Sequence, residues 1–238
     1  MDGIIGIAGV LAILLLAGAA VACVQRGGVS LRWLALAAGL VLLNDLLLTN
    51  VYGLLPNLAP AAEFNWQGKL LALLATLTVA ASAPIGWSPS GLTLRQEPGS
   101  LPSAFVAAGA YATVFLGLAL AFSNESASAE RIAFQLTLPG LEEEAFYRGV
   151  LLLVLCRAFT ARKRFLGVDW SLGAVVSSAL FGLAHAFGFS DGGFQFDPLV
   201  MLLTAGPSLL AVWLALRTRS ILLPIALHNF GNAIMLLV

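Results

Sequence analysis

Eight runs of this chain are mainly apolar over about 18 residues or more, the length an α-helix rising 1.5 Å per residue needs to cross a hydrocarbon core of roughly 30 Å. They cover approximately residues 3–24, 33–50, 69–88, 101–122, 132–156, 170–189, 198–216 and 220–238. Lipid offers the backbone no hydrogen-bond partner, so only helices and closed β-barrels span it. These runs are rich in Leu and Ala and lack the alternation of barrel strands. The predicted fold is all-α: a polytopic membrane protein, a bundle of about eight transmembrane helices. Its longest connections, near 51–68 and 89–100, are Pro- and Gly-bearing loops of modest length, so residues 1–238 read as a single transmembrane domain. A chain that is 60% hydrophobic and 10% charged is not an ordinary soluble domain.

The stretch "LLLAGAAVAC" before Cys23 has the small residues of a lipoprotein cleavage site, but Asp2 stands where a basic leader segment belongs, and an uncleaved first span is the expectation. Cys23 and Cys156 fall in or at the ends of spans and carry no disulfide or metal-ligand spacing. Net charge is zero, yet its distribution is uneven. Odd-numbered connections hold Arg26, Arg32, Arg95, Arg157, Arg162, Lys163, Arg164, Arg217 and Arg219; the even-numbered ones hold Lys69 and Arg131. By the positive-inside rule the first set is cytoplasmic and both termini lie outside. The expected location is the cell's inner membrane, in multi-pass form.

Four charges remain far from any span end: Glu142, Glu143, Glu144 and Arg148, within "LEEEAFYRGVLL". A charge near the bilayer centre costs on the order of 2.5–3.5 kcal/mol even on permissive scales, so such a cluster is expected to be paired, to face the bundle interior and to work there. At about 100° per residue Glu144 and Arg148 share a face and pair, Glu143 is turned aside for another partner, and Glu142 points elsewhere again. Asp45, beside Asn44 and near a span end, needs only interfacial solvation or a helix-packing hydrogen bond. The two histidines of the chain lie in later spans: His185, with Phe181 four residues before it, and His228, with Asn232 four residues after it. Either alone would be a helix-to-helix hydrogen bond. Together with the carboxylates, at depths that bracket the midplane, they predict one shared site, although the two histidines differ in depth enough to require tilt or axial shift.

These residues, Glu143-Glu144-x-x-x-Arg148, Phe181-x-x-x-His185 and His228-x-x-x-Asn232, reproduce in order the three motifs of the CPBP family of intramembrane proteases, also called the CAAX protease or Abi family. The resemblance covers about 130–238, the motif-bearing half of that family. It implies an eight-helix bundle with a membrane-buried catalytic cavity and hydrolysis of a peptide bond in a membrane-associated tail. It further implies that Glu143 activates water, that His185 polarises or protonates, that His228 and Asn232 bind the oxyanion, and that Glu144 and Arg148 support the site. The residue chemistry agrees, because amide hydrolysis needs a base, oxyanion donors and an acid for the leaving amine.

No cofactor is expected, although two imidazoles and a carboxylate could hold a catalytic zinc, a label the family has long carried. The expected partners are membrane lipid and a peptide or protein substrate, and not nucleic acid. A transporter or proton relay also uses intramembrane Glu, His and Arg, but the first half has no counterpart of the Glu/His set. A non-catalytic scaffold or immunity protein of the same fold is the other alternative, and an unpaired Glu beside two buried histidines speaks against it. The segment "FGFSDGGFQFDP" at 187–198 reads as a flexible connection near His185, with a gate as its functional alternative.

Overall fold

The computed structural model describes residues 1–25, 27–122 and 127–238. The architecture is the predicted all-α membrane bundle. Helices α1 (Asp2–Val24), α2 (Leu31–Thr49) and α3 (Trp66–Ala81) are followed by α4 (Leu101–Ala121) and by a segmented path of α5 (Ala129–Gln135), α6 (Leu138–Glu143), a π-helical stretch (Glu144–Leu151) and α7 (Leu152–Ala158). After hairpin β1 (Lys163–Phe165) and β2 (Val168–Trp170) come α8 (Leu172–Ala186), hairpin β3 (Phe187–Ser190) and β4 (Gly193–Phe196), α9 (Pro198–Thr218) and α10 (Leu222–Leu237).

Four helices, α1, α2, α4 and α9, are long and apolar enough to cross a bilayer by themselves. The other apolar helices, α3, α8 and α10, are 15 or 16 residues long, about 24 Å at 1.5 Å per residue, which is shorter than the roughly 30 Å of a hydrocarbon core. The fifth expected span is not one helix. Pro139 has no N–H to continue the ladder begun in α5, so the chain turns at Leu136 and Thr137 and starts again as α6. The apolar core lies inside the bundle, where Leu14 of α1, Ala37 of α2, Leu151 of the π-helical stretch, Leu155 of α7 and Leu180 of α8 meet.

Contacts sort the connections into two polar ends. At one, Ser30 N donates to Ala158 O (2.8 Å), Glu97 N to Thr218 O (2.8 Å) and Ile221 N to Gly91 O (3.0 Å). At the other, Glu130 Oε1 accepts from Glu63 N and Trp66 Nε1, both at 3.0 Å. Hairpin β3–β4 lies at this second end too. Its strands pair in register from Phe187 opposite Phe196 to Ser190 opposite Gly193, and its turn at Asp191 and Gly192 has positive φ at both residues, the tight hairpin geometry. The segment expected as a flexible connection is thus an ordered ribbon, and it packs on α1: a Cβ at Gly9 would come 2.8 Å from the rings of both Phe187 and Phe194.

The basic residues expected on one side do collect at the first end, where Arg164 of β1 pairs with Asp169 at 3.0 Å; Arg26 lies outside the described residues. Lys69 departs from expectation. Asn65 caps α3, accepting from Gly68 N at 2.8 Å, so the helix begins at Trp66 and carries Lys69 into the bundle instead of leaving it in a loop.

Candidate active site

The π-helical stretch begins at the carboxylate cluster. Its i→i+5 bonding fits an extra residue into each turn, so each residue rotates through less than the α-helical 100°. Glu143 and Glu144 both line one cavity of about 390 Å³, and Arg148, His185, His228 and Asn232 line it as well. All six sequence-predicted site residues are therefore gathered at one place.

Glu144 is 1% exposed and anchors the buried side. Its Oε1 lies 3.1 Å from Arg148 Nη1 and 2.6 Å from His228 Nδ1. The Arg148 guanidinium also sits on the Phe181 ring, 4.1 Å from its centroid, which gives the cation an aromatic face as well as a carboxylate. The expected intrahelical pair is present, and the histidine it also holds comes from α10.

His228 bridges the two carboxylates. With Nδ1 on Glu144, its Nε2 faces Glu143 Oε2 at 3.7 Å. His185 is held differently: its Nδ1 is 2.8 Å from the Phe181 carbonyl oxygen one turn earlier. A carbonyl can only accept, so Nδ1 carries the proton and Nε2 is left for the cavity. The motif phenylalanine contributes its backbone to His185 and its ring to Arg148.

Two residues join the site that the sequence reading did not place there. Lys69 Nζ is 2.6 Å from Glu143 Oε1 and 2.7 Å from Glu142 Oε2, so one ammonium holds two carboxylates. Glu143 is therefore not without a partner, and Glu142, which is fully buried, does not point away but shares its cation. The signal was available in the Asn65 capping position, which makes Lys69 an intramembrane cation. Asn229, next to His228, accepts from Gly140 N at 2.9 Å and donates to the Thr137 carbonyl at 3.2 Å. It satisfies backbone groups freed where α5 breaks into α6, and it thereby fixes α10 to the segment that carries Glu143.

The second oxygen of Glu143 is buried and accepts no hydrogen bond from the described residues. It faces space large enough for water, bordered by imidazoles and the Asn232 amide. Among the described residues no group of three His, Cys, Asp or Glu side chains is arranged to hold a metal ion. The lysine ammonium stands against the carboxylate that a zinc site would need. The set as it stands can deprotonate water, donate to a developing negative charge and pass a proton onward.

In comparison with known families, residues 125–234 match the family model described as type II CAAX prenyl endopeptidase, Rce1-like. No curated protein and no solved structure matches the chain.

Proposed function

Residues 125–234 belong to the Rce1-like CAAX endopeptidase family, and from that premise we propose that the chain is an intramembrane endopeptidase that hydrolyses a peptide bond with a water activated by Glu143. The observation that carries this reading is the convergence of Glu143, His185, His228 and Asn232 on a single cavity behind which Glu144 and Arg148 are paired.

In this mechanism the free oxygen of Glu143 takes a proton from water, while Lys69 fixes the other oxygen and so the rotation of the carboxylate. The hydroxide adds to the scissile carbonyl, and the developing oxyanion meets the Asn232 amide and His228 Nε2. The oxyanion role requires His228 to carry protons on both ring nitrogens, with Glu144 and Glu143 as the facing negative groups. His185 Nε2, its ring held by the Phe181 carbonyl, relays a proton toward the leaving amine. No step is routed through a metal, in keeping with the donor set.

The test is cleavage of a quenched peptide by purified full-length protein. Glu143→Gln lowers turnover by about 10²–10⁴-fold, the usual contribution of a positioned base, and His185→Ala does likewise with unchanged folding. Retained turnover in both variants rejects the mechanism. Stoichiometric zinc together with chelator-sensitive cleavage rejects the metal-free form.

A further inference from the structure

We infer that one face of α9 holds the substrate's backbone in an extended form, with the Leu203 carbonyl as acceptor and the Ser208 hydroxyl as donor. The peptide nature of the ligand rests on the proteolytic reading above.

A peptide drawn into this cavity leaves water behind, and each amide N–H or C=O that finds no partner there is costly. Hydrolysis engages only the scissile carbonyl and its leaving nitrogen. The neighbouring amides need groups that the motif residues do not supply. On α9 the cavity is lined by Leu203, Thr204, Pro207, Ser208 and Ala211, which are spaced as one helix face.

Two of these have unspent hydrogen-bonding capacity. Pro207 stands inside the helix and has no N–H, so the Leu203 carbonyl lacks the donor that position i+4 would give it. Ser208 is 2% exposed, and its Oγ has no hydrogen-bond partner among the described residues. The hydroxyls of Thr204 and Thr218 on the same helix behave differently, donating to carbonyls four residues back at 2.7 and 2.8 Å. The other buried side-chain polar atoms that line the cavity without a hydrogen-bond partner belong to Glu143, Glu144 and Arg148, all of them motif residues. Ser208 alone in that set has no place in the hydrolytic step, and an unpaired hydroxyl at such depth is costly unless a ligand takes it up.

This face is held in register with the catalytic groups. A Cβ at Gly182 of α8 would come 2.6 Å from Met201 Sδ and 2.9 Å from Ala205 Cβ, so α9 lies directly on the turn before His185. On the wall formed by α4, Tyr111 stacks on Phe115 with ring centroids 4.3 Å apart. The Tyr111 hydroxyl lies 2.7 Å from where Gly231 would carry a Cβ, next to Asn232. A peptide lying between α9 and this aromatic pair has its backbone edge on Leu203 and Ser208 and its scissile bond beside His185 and Asn232.

The probe is a fluorescent peptide ending in a prenylated CAAX tail, made in a cleavable form and in one whose scissile amide is reduced to a methylene amine. Binding of the uncleavable form to the full-length protein in detergent gives Kd, the cleavable form gives kcat and KM, and thermal unfolding gives Tm. Ser208→Ala is expected to raise Kd and KM about 3- to 10-fold, the worth of one net hydrogen bond, with kcat nearly unchanged, as for a loss of uniform binding. Its Tm does not fall, because the hydroxyl has no partner in the protein to lose. Pro207→Ala returns an N–H to the Leu203 carbonyl and is expected to raise Tm while weakening binding to a similar extent. Replacing the peptide's amides by esters one at a time deletes one N–H each; at one position the parent loses affinity and Pro207→Ala does not. Unchanged Kd in both variants overturns the inference, as does weaker binding that comes with a lowered Tm in both, which would mean lost packing. A parent that binds with this dependence on Ser208 and Pro207 but cleaves nothing keeps the inference and rejects the Glu143 mechanism. A parent that neither binds nor cleaves rejects both.

Discussion

Lys69 holds Glu143 by an ammonium-to-carboxylate contact of 2.6 Å made inside the bundle, across 74 positions of sequence. The same ammonium reaches Glu142 at 2.7 Å, so its removal strands two carboxylates where water is scarce. Lys69→Met is expected to lower stability by about 3–5 kcal/mol, the range for breaking a buried ion pair. Adding Glu142→Gln to it recovers part of the loss, because one fewer carboxylate is left without its cation. Thermal unfolding midpoints in detergent measure both, and a midpoint unchanged in Lys69→Met would show that the contact does not hold the native bundle together.

Glu142 and Glu143 share a cation but not a cavity, since Glu143 lines the catalytic space and Glu142 does not. Glu142→Gln should therefore keep most of the cleavage rate, whereas Asn232→Ala should lower it by about 10²–10³-fold, as for loss of one oxyanion donor. Equal losses in the two variants, measured as kcat on one peptide, would contradict the assignment.

Gly140 approaches Asn229 so closely that a Cβ would lie only 2.2 Å from Oδ1. Gly140→Ala must push the amide off the break between α5 and α6, with about 1–3 kcal/mol of overpacking. Because Glu143 follows three residues later, the variant is expected to lose cleavage along with stability. Asn229→Ala should reproduce the loss of cleavage, and a fully active Asn229→Ala would remove this residue from the support of the site.

The hairpin seat on α1 depends on Gly9, where an added methyl would meet the Phe187 and Phe194 rings. Gly9→Leu should lift β3–β4 and expose its turn. Limited proteolysis then cuts near Asp191 and Gly192 faster than in the parent, and an unchanged cutting rate would mean that α1 does not hold the ribbon.

Glu130, outside the spans, has its carboxyl held below the ordinary value of 4.5, chiefly by the Trp66 indole N–H and then by the amides of Glu63 and Phe64. A depressed folded value gives stability that is present above pH 4.5 and lost as pH falls through the lower folded value. Below that range the tie between loop 63–66 and α5 should loosen. The difference in emission between the parent and Trp66→Phe follows it, and a difference that stays constant through strong acid would disprove the coupling.

Much of this protein follows from its sequence because membranes impose local rules. Apolar length sets the spans, and the 3.6-residue repeat puts Glu144 with Arg148 and Phe181 with His185. The rest depended on contacts between segments far apart in the chain. The α-helical projection sent Glu142 elsewhere and left Glu143 unpaired because the cation they share, Lys69, lies 73 and 74 positions away in the chain. Lys69 looked like a loop charge because its helix start is set by a side-chain cap rather than by hydropathy. The pairing of His228 with Glu144 and the tie of Asn229 to Gly140 exist only once α10 has packed on the broken helix. A sequence fixes which groups are too polar to face lipid; only the packed bundle decides which of them satisfy one another, because that choice rests on depth and rotation that no local repeat encodes.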